Sequence, residues 1–342
     1  MTILTKFFCK FAAVITNAMT PIESIRQSIS PELSSLNVKI KDALSSSNGL
    51  MNQIVETYLA EKGKQIRPIL VILTAKLFGE VNEKVLSAAA AVEMLHNASL
   101  IHDDVVDESK LRRSIPTINS RWDNQIAVLV GDFFVSSSLQ QAISTGDLRI
   151  IEALAHLGKT LSLGEVDQIY NARHHCINEE AYFNIISHKT ASLFVSCIRM
   201  GAYAVGGDGK RLEAMERYAE LLGLCFQIRD DIFDYYRSDE VGKPTSNDLR
   251  EGKITLPLLY AINREDLPQC EAMRQLSKKE ILTEEEIATL IDYAKEAGGI
   301  DYAYKTMDRL RNEATDLLNV FEPSDTVTAL SSIFDFIIAR KK

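Results

Sequence analysis

Apolar residues recur at helical spacing along nearly the whole chain. Ile69, Leu70, Leu73, Ala75 and Leu77 make one stripe, and Val85, Ala88, Ala89, Val92, Leu95 and Leu100 make another. Val128, Phe133 and Phe134, followed by Leu154, Leu157, Leu161, Val166 and Ile169, carry the pattern on. Intervals of three and four residues set such side chains on one helical face. No series of alternating β-branched segments bounded by turns is present, so strands are not expected. Gly, Pro and polar clusters at Ser45–Gly49, Ser114–Pro116, Gly206–Gly209 and Gly242–Asn247 mark the breaks. The pattern predicts an all-α protein, a single domain over 20–342 whose part beyond Asn263 is a charged helical subdomain.

Composition narrows the class. Hydrophobic residues make up 46% and charged residues 25% of the 342 positions, the balance of a globular protein. A net charge of −9 argues against nucleic acid as a partner, since a phosphate-backbone reader carries a basic surface. The same charge sets a condition: a phosphate substrate must be held by local cations against an unfavourable field. The five cysteines, Cys9, Cys176, Cys197, Cys225 and Cys270, form no C-x-x-C pair and are odd in number. They read as reduced, structural thiols of a cytoplasmic protein.

Residues 1–19 differ in kind. They hold Lys6, Lys10, a short apolar run from Phe11 to Ile15, and no acid. The run is too short for a span, which needs roughly 20 apolar residues. Two readings stand side by side, an overextended start with Met19 as initiator and a loose or membrane-touching tail; a weak signal or transit peptide is a third. No later segment is read as a membrane span.

The candidate chemistry lies in two segments. His102-Asp103-Asp104-Val105-Val106-Asp107 and Arg229-Asp230-Asp231-Ile232-Phe233-Asp234 both spell Asp-Asp-x-x-Asp after an apolar helical run. Helical residues four apart are offset by only about 40°, so Asp103 shares a face with Asp107, and Asp230 with Asp234. Two like charges about 4 Å apart repel by roughly 4 kcal/mol at an effective dielectric near 20. Half-buried, such a turn needs a counter-charge, and magnesium, bound by one or two carboxylates plus substrate phosphates, fits. One such motif could be a solvated acidic turn; two at the same spacing make that reading poor.

Matching cations flank both motifs. Lys64 and Arg67 lie beside Pro68 at the start of a predicted helix, where amide N–H groups favour anions. Arg112-Arg113 follows the first motif. Lys189-Thr190 sits within an apolar run, costly for an ammonium without a partner. Lys243 and Lys253 follow the second motif. His96 falls seven residues before Asp103 on nearly the same face. His174-His175 gains no role, and Glu165 with Gln168 could orient water or simply form an exposed turn.

Taken together, these residues resemble the trans-type polyprenyl diphosphate synthases of the long-chain, octaprenyl-like kind. EMLHNASLIHDDVVDESKLRRSIPTIN from Glu93, FQIRDDIFDY from Phe226 and GKPTSNDLREGKITLPL from Gly242 carry the likeness. It implies a helical bundle of the isoprenoid synthase type with a central cavity, and head-to-tail addition of isopentenyl diphosphate to an allylic diphosphate. It implies Asp103, Asp107 and Asp230 as ligands of Mg2+, about three ions per site, with Asp104, Asp231 and Asp234 in support. Arg112, Lys189, Thr190, Gln227, Lys243 and Lys253 would serve the allylic diphosphate, with Lys189 also in the catalytic set. Lys64, Arg67, His96 and Arg113 would hold isopentenyl diphosphate. A homodimer is implied too, and a membrane-seeking product makes transient contact with a membrane surface an expectation. Two places depart from the family pattern, Ser114 for a frequent glycine and Arg229 at a variable position; neither removes a ligand.

In the family, bulk one turn before the first motif stops chain growth. Here Ala98 and Ser99 are small and Ala88 to Ala91 lie deeper, which predicts an octaprenyl or longer product of the kind used for quinone side chains. The alternatives are a short-chain synthase making farnesyl or geranylgeranyl diphosphate, a terpene cyclase, a non-catalytic subunit of a heteromeric synthase, and a calcium-binding or structural helical protein. A cyclase would not need Lys64, Arg67 and Arg113. A subunit without activity would be expected to lose ligands, and both motifs are whole.

Overall fold

A computed structural model describes residues 20–60, 63–112, 115–174, 177–236 and 246–339. Residues 1–19, Arg113 and Lys243, with the expectations attached to them, lie outside the described residues. Besides two single turns at Ile118–Arg121 and Asn247–Arg250, the helices are α1 (Pro21–Ser28), α2 (Ser30–Ala43), α3 (Gly49–Leu59), α4 (Ile66–Phe78), α5 (Glu83–Val106), α6 (Asn124–Ser144), α7 (Leu148–Arg173) and α8 (Glu179–Ile186). A π-helical segment, Ser187–Ala191, joins α8 to α9 (Ser192–Tyr203). There follow α10 (Gly209–Phe233), α11 (Leu256–Ile262), α12 (Cys270–Leu276), α13 (Glu284–Glu296), α14 (Gly299–Leu317) and α15 (Asp325–Ala339). Among the described residues the strands are two short ones, Leu111–Arg112 and Ile115–Pro116, paired antiparallel.

Side-chain caps begin many of these helices. Asn82 Oδ1 accepts from the amides of Lys84 and Val85 at the start of α5, and Asp123 from Ile126 at the start of α6. Asn178 opens α8 in the same way. Each cap satisfies amides that have no partner within the helix.

The innermost helices are buried on more than a stripe. In α4, Val71, Ile72 and Thr74 are as buried as Ile69, Leu70 and Leu73, because α4 is enclosed by α5, α9 and α15. Helix α5 buries Ala88 to Ala91 completely and packs along α6, whose Ser138 hydroxyl donates to the Ala91 carbonyl at 2.7 Å. Helix α10 rests on α9 and α14. A second, smaller core of Tyr235, Leu249, Leu258, Ile262, Ile287 and Leu290 lies under α11 and α13.

Not every member of the apolar pattern is buried. Val128 and Val166, which continue it on helices, are 41% and 63% exposed. They belong to an outer apolar face of α6 and α7 with Leu129, Leu139, Ile143 and Leu163. Helix α6 is moreover long and apolar enough to cross a membrane, by length and composition alone, contrary to the sequence reading. Its other face, with Ala127, Val130, Phe134 and Ala142, is part of the core.

Candidate active site

Both acidic motifs occupy the C-terminal ends of long helices. Asp103 and Asp104 are in the last turn of α5 and Asp107 is its C-cap; Asp230 and Asp231 are in the last turn of α10 and Asp234 is its C-cap. A helix C-terminus carries the negative end of the macrodipole, equivalent to about half a charge. Carboxylates there are doubly disfavoured until a cation arrives. Burial pushes the Asp103 carboxyl up to about 6, with the Lys189 ammonium opposing the rise and Glu165 and Asp107 adding to it. Asp107 is raised as well, desolvation first, with Lys253 opposing.

The cations stand between the motifs. Lys189 sits in the π-helical segment, where its Nζ is 2.5 Å from Glu165 Oε2 and donates to Gln168 Oε1 at 3.2 Å. Glu165 and Gln168 of α7 are therefore the lysine's holders, a role the sequence left open. Two glycines let this segment approach its neighbours. A Cβ on Gly164 would lie 3.0 Å from the Lys189 amide, and one on Gly223 only 2.4 Å from the Ala191 Cα. A π-bulge displaces the side chains that follow it and recurs at functional sites; here it presents Lys189 and Thr190. Lys253 pairs with Glu251 and feels the charges of Asp248 and Asp107.

Lys189, Thr190 and Lys253 border a cavity of about 220 Å³, whose wall also includes Gln168, Gln227, Asp231 and Asp248, whereas Asp103, Asp107, Asp230 and Asp234 are not part of that wall. Lys189 thus faces the first motif electrostatically while sharing a cavity wall with the second. The other aspartates are more occupied. Asp104, buried, takes Arg112 Nε at 2.9 Å and Nη2 at 2.8 Å. Asp234 Oδ2 accepts the Asp248 amide at 2.8 Å, tying the Lys253 loop to the end of α10. Asp231 gives Oδ2 to the Tyr182 hydroxyl at 2.6 Å and Oδ1 to Gln227 Nε2 at 2.8 Å. Its carboxyl is raised by burial against the effect of these two donors.

The remaining described residues of the expected set stand at the start of α4 and along α5. Lys64 and Arg67 stand at the start of α4, whose N-cap Gln65 takes a left-handed backbone, φ 51°. Lys64 Nζ lies 5.2 Å from the Phe336 ring centre and the Arg67 guanidinium 5.9 Å from that of Phe194. His96 is buried on α5. Ala98 is fully buried, and the Ser99 hydroxyl donates to the His96 carbonyl at 2.9 Å, so it is satisfied within its own helix. Tyr182 and Asp248 were missed in the sequence. Tyr182 meets Asp231 across 49 positions, which leaves no local signal. Asp248 stood within the run Gly242–Leu258 as an acid among basic residues.

The donor set suits a hard divalent cation. Among the described residues no three His, Cys, Asp or Glu side chains converge as a closed metal site. Carboxylates that offer one or two oxygens and leave other positions open match an ion shared with a bound phosphate.

Comparison with known proteins agrees. Residues 48–294 match the polyprenyl synthetase family. The octaprenyl diphosphate synthase of Haemophilus influenzae is 33% identical over 317 residues, 91% of this chain and 95% of that protein. The crystal structure of a polyprenyl synthase from Caulobacter crescentus CB15, complexed with calcium and isoprenyl diphosphate, superposes with TM-score 0.86 at 31% identity, covering 95% of this chain and 100% of that one. A geranylgeranyl pyrophosphate synthase from Bacteroides thetaiotaomicron gives TM-score 0.80 at 36% identity, covering 94% and 100%. With motifs, helical fold and relatives in accord, the chain belongs to the polyprenyl synthetase family and is a trans-prenyltransferase.

Proposed function

We propose that the site joins isopentenyl diphosphate to an allylic diphosphate with the help of Mg2+, held by Asp103, Asp107 and Asp230. The overall reaction is head-to-tail synthesis of a long-chain all-trans polyprenyl diphosphate. One observation supports the site assignment: Lys189 and Lys253, whose charges act on Asp103 and Asp107 of the first motif, line the same cavity as Asp231 of the second. When bound, the metal supplies positive charge where the departing pyrophosphate becomes more negative. Lys189 and Lys253, with Lys243, hold that diphosphate, so developing charge meets cations already in place. Arg112 reaches it while anchored on Asp104. Lys64, Arg67, His96 and Arg113 hold the diphosphate of the second substrate.

The allylic carbon–oxygen bond breaks with its electron pair passing to pyrophosphate. The double bond of isopentenyl diphosphate then forms the new carbon–carbon bond, and a proton is lost to the pyrophosphate. Thr190 and Gln227 line the cavity beside Lys189; in this reading they flank the allylic end of the substrate and face the reacting carbon next to the diphosphate, and apolar walls keep water from the cation.

We further propose an octaprenyl or longer product. Ala98 is fully buried without bulk, and the small run Ala88 to Ala91 lies deeper, about 18–22 Å from Asp103 along α5. The reading of a shorter product has one observation in its favour. Tyr58 and Phe134 meet edge to face at 5.6 Å, and the Tyr58 hydroxyl donates to Asn97, next to Ala98. The geranylgeranyl synthase relative is consistent with that alternative. A homodimer is supported by the exposed apolar face of α6 and α7. A cytoplasmic setting is supported by the unpaired thiols of Cys197, Cys225 and Cys270, all buried. Brief contact with a membrane surface follows from the chemistry of the product.

Incubation with labelled isopentenyl diphosphate, a panel of allylic primers and Mg2+, followed by chromatographic sizing, tests the reading. Long labelled products that vanish with a chelator are expected. Absence of product with every primer would refute it.

A further inference from the structure

The hydrogen bonds around Asp231 have a fixed direction. Thr190 Oγ1 donates to Gln227 Oε1 at 2.7 Å, Gln227 Nε2 donates to Asp231 Oδ1 at 2.8 Å, and the Tyr182 hydroxyl donates to Asp231 Oδ2 at 2.6 Å. With Asp231 ionised both its oxygens accept, and the Gln227 amide turns its NH2 toward Asp231 and its oxygen toward Thr190. That oxygen leaves Thr190 one role, as donor to Gln227. The threonine's lone pairs then remain for the cavity, on whose wall it lies beside Lys189.

Tyr182 is the fixed end of this chain. It is 7% exposed, sits in α8 immediately before the π-helical segment, and has Phe183 packed edge to face at 5.4 Å. Asp231, 4% exposed, has protein donors on both oxygens. Both oxygens of the middle aspartate of the second motif are thereby held by protein donors, which makes it an anchor for its neighbours.

We propose that Tyr182 is a positioning residue for the prenyl transfer. Through Asp231 and Gln227 it orients the Thr190 hydroxyl so that oxygen lone pairs, rather than a proton, face the allylic carbon as its positive charge develops. The inference rests on the site reading given above, in which Thr190 and Gln227 face that carbon. An electron-rich oxygen aimed at developing positive charge acts in the transition state more than in the ground state. The arrangement should therefore register in kcat and much less in KM.

The test is a kinetic cycle on the full chain with Mg2+, isopentenyl diphosphate and the primer that wild type uses best. Tyr182→Phe keeps the ring and removes the donor. Expected is a loss of about tenfold or more in kcat, with both KM values within about twofold. Thr190→Val should lose more, and Tyr182→Phe placed on Thr190→Val should add almost nothing, because groups acting as one unit are not additive. Thr190→Ser, which keeps the hydroxyl, should restore most of the rate. A wild-type kcat in Tyr182→Phe would overturn the proposal. So would a rise in KM alone, or a full multiplicative loss in the double variant. Should Tyr182→Phe fail to fold, Asp231→Asn with and without Thr190→Val gives the same cycle, and a multiplicative loss there would be equally adverse. Failure of the underlying site reading looks different: wild type would then form no prenyl product from any primer.

Discussion

The approach of the π-helical segment to α10 makes Gly223 the most informative position to perturb. A Cβ at residue 223 would lie 2.4 Å from the Ala191 Cα and 2.8 Å from its Cβ, where ordinary contact begins near 3.4 Å. Gly223→Ala therefore forces the segment away by roughly 1 Å. Overpacking of this kind costs about 1–3 kcal/mol. In a chain of this length, 1 kcal/mol corresponds to a fall of about 2 °C in Tm, so a drop of roughly 2–6 °C is expected. Catalysis should suffer more, because Thr190 and Lys189 ride on the displaced backbone. A 1 Å misplacement of positioning groups costs on the order of 100-fold in rate. Gly158→Ala on α7 is the control: nothing stands within 4 Å of its added Cβ, so it should be neutral or slightly stabilising. Thermal melts by circular dichroism and steady-state turnover read both quantities. Wild-type kcat in a well-folded Gly223→Ala would refute the view that the tight approach sets the geometry of the site.

Other outcomes can be checked alongside. Asp103→Asn should lower turnover by several powers of ten with helicity retained; near-normal activity would remove the residue from the metal site. The sign of its pH effect follows from a carboxyl raised in the fold to about 6 from an ordinary 3.8. The folded state binds the proton more tightly, so metal-free enzyme should lose stability as pH rises from about 4 to 6. Mg2+ or the Asn variant should weaken that loss, as seen in Tm. Ala98→Phe should shorten the product on chromatography, whereas Phe134→Ala should lengthen it if the Tyr58–Phe134 pair is the stop. Leu129→Glu together with Ile143→Glu, both on the exposed face of α6, should shift the mass in solution from dimer to monomer; an unchanged mass would place any interface elsewhere.

The helical character of the fold was legible because apolar spacing survives even in fully buried helices. What the pattern could not convey was which helices lie inside. Val71, Ile72 and Thr74 add a buried second face to α4, while Val128 and Val166 look like core residues and face outward. Hydropathy alone does not separate a core from a surface awaiting a partner. At the site, repeated acidic spacing pointed to a metal, since few other things relieve that repulsion. The helix ends on which the motifs sit were not recognised. Nor were the lysine's holders Glu165 and Gln168, or Tyr182. Each depends on packing between segments distant in sequence, and for the lysine on a backbone irregularity between α8 and α9 that composition does not announce.

The placement of both acidic turns at helix C-termini bears on the order of events. A bare diphosphate approaching the empty enzyme meets a field of its own sign, from the carboxylates, from two aligned rows of carbonyl dipoles and from a chain of net charge −9. Entry becomes favourable once that sign has been cancelled in solution or at the mouth. Affinity for the allylic substrate measured without divalent ions should then be weak, and should strengthen steeply as they are titrated in.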